Sequence, residues 1–159
     1  MAKQTCIQHL QKYLRENGVP FETMVHPTVY TAQEVAAAQH VPGEQVAKVV
    51  IVRADERNLM LVMPAPHRVA FDKLKALLGA KNVRLAKEEE FGGIFPDCDL
   101  GAMPPFGNLY NVPVYADKAL SEWSHIVFQA GTHRDTVKIR YADFARLAQP
   151  KLGDFTTHP

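Results

Sequence analysis

One lysine, Lys48, sits inside the apolar run Val46-Ala47-Lys48-Val49-Val50-Ile51-Val52. On the two-residue period of a strand it shares a face with Val46, Val50 and Val52. A lysine there must lift its ammonium into solvent or meet an anion. Spacing leaves both readings open: a snorkelling side chain, or a cation aimed into a cleft to grip a phosphate or steer a hydroxyl. A second candidate is the stiff loop Gly101-Ala102-Met103-Pro104-Pro105-Phe106-Gly107. Two prolines fix φ, donate nothing and push Met103 and Pro104 toward extended backbone, while Gly101 and Gly107 allow sharp bends. Such a loop can present the N–H groups of Ala102 and Met103 to a ligand, and one oxyanion donor of this kind contributes on the order of 3 kcal/mol in a transition state. The plain alternative is a rigid turn between elements. His133, in Gly131-Thr132-His133, is either a pocket residue or an exposed turn histidine.

Other chemistries lack their residues. Ser121 and Ser124 flank Trp123 and neither lies in a GxSxG elbow. Cys98 stands between Asp97 and Asp99, a poor setting for a thiolate nucleophile, so a structural role is favoured over a thiol-dependent enzyme. Seven histidines show no HExxH and no Cys/His spacing for a metal, and neither GxGxxG nor GxxxxGK[ST] occurs. No metal and no cofactor is expected. Glu88-Glu89-Glu90 reads as a solvated helix face.

The chain has 159 residues, 47% hydrophobic and 22% charged, which favours one globular domain. With 18 basic and 17 acidic residues the formal net charge is +1, unlike proteins that coat long stretches of nucleic acid. A partner gripped at one end remains compatible. No apolar run approaches the ~18 residues of a membrane span, and Met1 to Leu10 has no signal-peptide core. Cys6 and Cys98 form no CxxC, which suits a reducing cytoplasm.

These residues need elements to hold them. Ile7, Leu10, Tyr13 and Leu14 recur at helical spacing, stopped by Gly18 and Pro20. Phe21 to Val25 reads as a strand. Thr31 and Glu34 form a capping box before a short helix. Val46 to Arg53 and Leu59 to Met63 read as strands around a turn at 55–58, each apolar on both faces and so covered twice. Phe71 to Leu78 reads as a helix with a Gly79 stop, Val83 to Leu85 as a strand, and Lys87 to Phe91 as helical. A loop over 96–111 leads to a strand at Val112 to Tyr115 and a turn capped by Asp117. His125 to Gln129 and Thr136 to Arg140 form a hairpin around Gly131, and Tyr141 to Leu147 a last helix. The class is α+β, a mixed, mostly antiparallel sheet with flanking helices. Residues 1–149 form a single domain, with 150–159 as a C-terminal tail.

The blocks His26-Pro27, Tyr30-Thr31-Ala32-Gln33-Glu34, Ala47-Lys48-Val49-Val50, Asp99-Leu100-Gly101 through Gly107, Ala130-Gly131-Thr132-His133 and Ile139 through Phe144 carry a resemblance. In order and spacing they resemble the YbaK-like aminoacyl-tRNA deacylases, free-standing relatives of the editing domain of bacterial prolyl-tRNA synthetases. The likeness runs over about residues 5–148. It implies that fold and hydrolysis of the ester between a wrong amino acid and the terminal adenosine of tRNA. It implies that Lys48 engages the terminal nucleotide and substrate, and that the Gly-x-x-x-Pro loop, Gly101 to Pro105, binds the ester carbonyl. No protein nucleophile is required, since a ribose hydroxyl can help activate water. His133 matches a pocket histidine, with Tyr30, Thr31 and Met103 as pocket walls. Ala102 and Pro104 stand where cysteinyl-specific members carry a second glycine and a serine. The expected substrate is tRNA(Pro) bearing a small amino acid such as alanine or cysteine, with alanine favoured. Aminoacyl-tRNA, through its acceptor end, is the expected partner and a prolyl-tRNA synthetase the candidate recruiter. The rival reading is a non-catalytic module that binds aminoacyl-tRNA ends, nucleotides or a synthetase. Oligomeric state is not legible.

Overall fold

The computed structural model describes residues 5–26 and 31–157. Tyr30 and Pro27 lie outside the described residues. The apolar pattern of the first helix is realised in α1 (Cys6–Glu16), whose Thr5 cap and Gln8 close a capping box and whose inner face buries Cys6, Leu10 and Leu14. β1 (Glu22–Val25) and α2 (Ala32–Gln39) follow. β2 (Ala47–Ala54) and β3 (Arg57–Pro64) form a long antiparallel hairpin, and β4 is the short Arg68–Val69. The turn tightens to Asp55 and Glu56, both at positive φ, as a two-residue hairpin turn requires. The Asp55 carboxylate accepts hydrogen bonds from the N–H groups of Lys81 and Asn82, which anchors this turn. Next come α3 (Phe71–Leu78), β5 (Val83–Leu85) and α4 (Glu88–Phe91). β6 (Val114–Asp117) leads through a 3₁₀ turn to β7 (His125–Gln129), β8 (Asp135–Arg140) and α5 (Tyr141–Ala148).

A five-stranded mixed sheet has the order β5-β2-β3-β6, closed at its edge by a strand from the chain's end, and a three-stranded antiparallel sheet has the order β1-β8-β7. β3 pairs with β6 in parallel, whereas β2 pairs with β3 and β5 antiparallel. The expected α+β class and mixed sheet are present. One face of the larger sheet, through Ala47, Ile51, Met60 and Val62, packs with Ile126, Phe128, Val137 and Ile139 of the smaller sheet and with α1 and α5. The opposite face, through Val52, Leu59, Leu61 and Met63, packs with Leu74 of α3 and with Phe155. The double cover expected from the two apolar strands is therefore met. No helix among the described residues is long and apolar enough to cross a membrane.

Two expectations are corrected. Within the expected tail, 150–159, the described residues 150–157 are part of the fold. β9 (Lys151–Gly153) extends the five-stranded sheet beside β6, β10 (Thr156–Thr157) pairs with β4, and Phe155 between them is 0% exposed. The segment is too polar to announce a strand; one aromatic and backbone pairing bring it in. Nor are the cysteines separate thiols. The fold brings the start of α1 to the loop before Gly101, and Cys6 and Cys98 are joined in a disulfide. Their distance in sequence concealed a contact made only by packing.

Candidate functional site

The stiff loop is built from the inside out. Phe106 is fully buried and meets Tyr13, Phe128 and Phe144 edge-on, with ring centroids 5.9 Å apart in each pair. Residues 102 to 107 are all buried, while Gly101 is exposed at the rim. Backbone hydrogen bonds hold this rim to the β7–β8 connection. Asp99 N–H donates to the Gly131 carbonyl and Gly131 N–H to the Ala102 carbonyl, both at 2.8 Å. Gly101 and Gly131 have φ of +87° and +97°, which other residues adopt only with strain. Gly131 also lies so close to Cys6 that an added Cβ would stand 2.5 Å from its sulfur.

The expected donor pair changes. Ala102 N–H donates to the Asp99 carbonyl at 3.0 Å, so it closes a turn and does not face a ligand. Among the described residues, the N–H groups of Gly101 and Met103 make no hydrogen bond. The proline-stiffened loop thus leaves two amides without a hydrogen-bond partner, Met103 as expected and Gly101 in place of Ala102.

Lys48 approaches from elsewhere. Its neighbours on the same face of β2, Val50 and Val52, belong to the Phe155 side of the sheet, whereas the Gly101 loop packs on the other side. The sides meet at the end where β2 begins. There, Thr31, Gln33, Lys48, Arg68, Gly101 and Met103 line one cavity of about 400 Å³. Lys48 Nζ donates to the carbonyl of His67 at 2.5 Å. Burial, and then the neighbouring Arg68 guanidinium, hold its pKa below the ordinary lysine value.

The carbonyl that receives Lys48 is itself held. The His67 ring is buried, with Nε2 2.9 Å from Glu44 Oε2 and Nδ1 2.9 Å from Thr156 Oγ1. Thr156 in turn donates to Asp117. The chain's end thereby fixes the segment under the lysine.

Of the other expected residues, Thr31 lines the cavity, but its hydroxyl is held in the capping box with Glu34, accepting from Glu34 N–H at 3.0 Å. Pro105 is buried behind the loop and does not line the cavity. His133 is not a lining residue either; its Cε1 lies 3.7 Å from where a Gly101 Cβ would be, so it sits beside the loop. His67, Arg68 and Gln129 also line the cavity, and the sequence reading did not single them out. Gln129 Nε2 is buried with no hydrogen-bond partner among the described residues. A polar residue closing the apolar strand before Gly131 was the available signal. Arg68 had none.

Cys98 does not line the cavity. Cys6, Asp97 and Cys98 bring possible metal-ligand atoms within 4.8 Å, but the two sulfurs are bonded to each other and offer no thiolate. The residues lining the cavity include two cations and two, Gly101 and Met103, whose N–H groups make no hydrogen bond among the described residues, a set that suits an anionic substrate with a carbonyl that gains negative charge.

Comparison with known proteins agrees with this chemistry. A family described as "Aminoacyl-tRNA editing domain" matches residues 26–147. The proline–tRNA ligase of Thiobacillus denitrificans is 30% identical over 140 residues, covering 85% of this chain and 24% of that protein. That of Staphylococcus saprophyticus is 29% identical over 144 residues, covering 88% and 24%. The chain spans about a quarter of the length of these ligases. The "Multifunctional Ser/Thr-tRNA deacylase ProXp-y" of Escherichia coli is 26% identical over 153 residues, covering 93% of this chain and 91% of that one. A candidate trans-editing enzyme for prolyl tRNA synthetase has the same fold, with a TM-score of 0.85 at 20% identity over 98% of this chain and 99% of that one. So does the hypothetical protein APE2540, at 0.84 and 19%, covering 93% and 99%. The family match runs over most of the sequence, and the chain belongs to the aminoacyl-tRNA editing domain family.

Proposed function

We propose that the protein is a trans-editing hydrolase that cleaves the ester of mischarged tRNA. The observation that carries this reading is the meeting of Lys48, Arg68 and the bare amides of Gly101 and Met103 on one cavity, in a chain of the editing family. The ammonium and guanidinium hold the phosphate-bearing terminal nucleotide. The loop amides receive the ester carbonyl and stabilise the oxyanion as water adds to the acyl carbon. The acyl C–O bond then breaks, the ribose oxygen leaves with a proton, and free amino acid and tRNA result. A neighbouring ribose hydroxyl orients the water, which assigns the chain a positioning role.

The substrate is tRNA(Pro) carrying a small amino acid, alanine before cysteine. His133 acts from beside Gly101, shaping the loop. The name of the Escherichia coli relative makes seryl and threonyl esters the main competitors, and Gln129 supplies a buried amide able to meet a side-chain hydroxyl. Its substrate, charged tRNA, places the protein in the cytoplasm, where the Cys6–Cys98 disulfide faces a reducing environment, and a prolyl-tRNA synthetase is the candidate recruiter. The test is incubation with a panel of aminoacyl-tRNAs, alanyl, cysteinyl, seryl and threonyl esters included. Ester loss above the buffer rate, greatest for alanyl-tRNA(Pro) and lost in Lys48→Ala, is the expected result. Binding that protects every ester would instead make the chain a non-catalytic module.

A further inference from the structure

A second cavity adjoins the first. It is about 390 Å³ and is lined by Val50, Met63, Val69, Phe71 and Leu85 together with Lys48 and Arg68. The two cations line both cavities and so form their shared rim. Apart from them, the second hollow offers apolar side chains alone. Leu85, on the edge strand β5, is 55% exposed and one of few large apolar residues left open to solvent. An apolar shelf, then two neighbouring positive charges, then a polar cavity is the sequence of surfaces that a short single-stranded nucleic acid presents in complement: base, phosphodiester, nucleoside. Two cations kept together on one rim, Lys48 partly buried and Arg68 exposed, repel one another, and a phosphate between them removes that cost.

We propose that the shelf is a second nucleobase subsite, which takes the base next to the terminal adenosine while Lys48 and Arg68 hold the phosphodiester between the two nucleotides. This rests on the editing reading, which places the terminal nucleotide in the first cavity. Phe71 and Leu85 supply the flat apolar contact, which is indifferent to base identity because every base has a π-face. The subsite explains how a nearly neutral protein holds a polyanion, by gripping two nucleotides instead of a long backbone tract.

The test compares one amino acid esterified to adenosine and to the trinucleotide CCA. In the native protein kcat/KM is expected to be at least about tenfold higher for the trinucleotide ester, the scale of one stacked base. Phe71→Ala and Leu85→Ala are expected to lower that ratio toward one through KM, and Arg68→Ala to lower it while flattening its salt dependence. Leu85 is exposed enough to be truncated without unfolding, and circular dichroism checks each variant. A ratio unchanged in the variants overturns the subsite while leaving editing intact. So does a variant that merely shifts a dimer to monomer in sedimentation, which would give the shelf to a second copy. If the native protein cleaves neither ester, the editing reading fails, and fluorescence anisotropy with labelled, uncharged CCA reads the shelf alone. Weaker binding in Leu85→Ala supports the subsite, and equal binding overturns it.

Discussion

The two walls of the cavity are built on different principles. The Gly101 wall is main chain, held by reciprocal backbone hydrogen bonds to Gly131 and pinned by Phe106 and the Cys6–Cys98 disulfide. The Lys48 wall is side chain, a long cation resting on a carbonyl fixed by Glu44, His67, Thr156 and Asp117. Changes in the first wall therefore act through architecture, and changes at the tip of the second act through chemistry. In the proposed reaction, amides that stabilise an oxyanion must not move, whereas a phosphate clamp tolerates a flexible stem.

The sharpest way to break this contrast is to undermine the second wall from below. Phe155→Ala removes a fully buried ring from the core under β4 and β9 and should cost about 3–5 kcal/mol, read from the urea midpoint. A loss under about 1 kcal/mol would return residues 150–157 to the status of a tail. Lys48→Ala should instead cut kcat/KM at least about 100-fold, or about 2.7 kcal/mol of transition-state stabilisation. Its thermal midpoint should stay within about 3 °C. Comparable unfolding would merge the two walls into one structural unit. Gly131→Ala forces a Cβ against the Cys6 sulfur at positive φ and should destabilise by about 1–3 kcal/mol, with activity falling in proportion to lost fold.

The smallest effect concerns pH. Burial and Arg68 favour the neutral form of Lys48, so it releases its proton below the pH of a free lysine. Activity that needs the ammonium falls as pH rises through that lowered value, after subtraction of the buffer rate. For folding the sign is opposite: the charged form is disfavoured in the native state, so its cost is largest at lower pH and fades as pH rises through the folded pKa. Arg68→Ala removes one of the two causes and should move the alkaline limb of kcat/KM upward. An unmoved limb would assign it to another group.

Much of the fold was legible because its signals are local. Thr31 and Glu34 specify a capping box, Gly79 a helix stop and Asp117 the cap of the next turn, and each is found in that role. The apolar runs of β2 and β3 announced burial on both faces. Where signals were weak the reading failed. Lys151 to Gly153 and Thr156-Thr157 are too short to show a strand pattern, and their placement depends on sheet edges made elsewhere. Ala102 offered no sign that its N–H turns back to Asp99.

By itself the sequence determined most of the elements as far as α5, the stiff Pro104-Pro105 loop, and the single lysine in an apolar strand, since all three follow from the bonding and steric needs of neighbouring residues. Only the tertiary structure decided that Lys48 and Gly101, on opposite sides of one sheet, meet at its end, that Arg68 joins them, and that Thr156 steadies the floor. Those contacts link residues far apart in the chain, and they exist because burying two apolar faces at once leaves one rim where polar groups from both can converge.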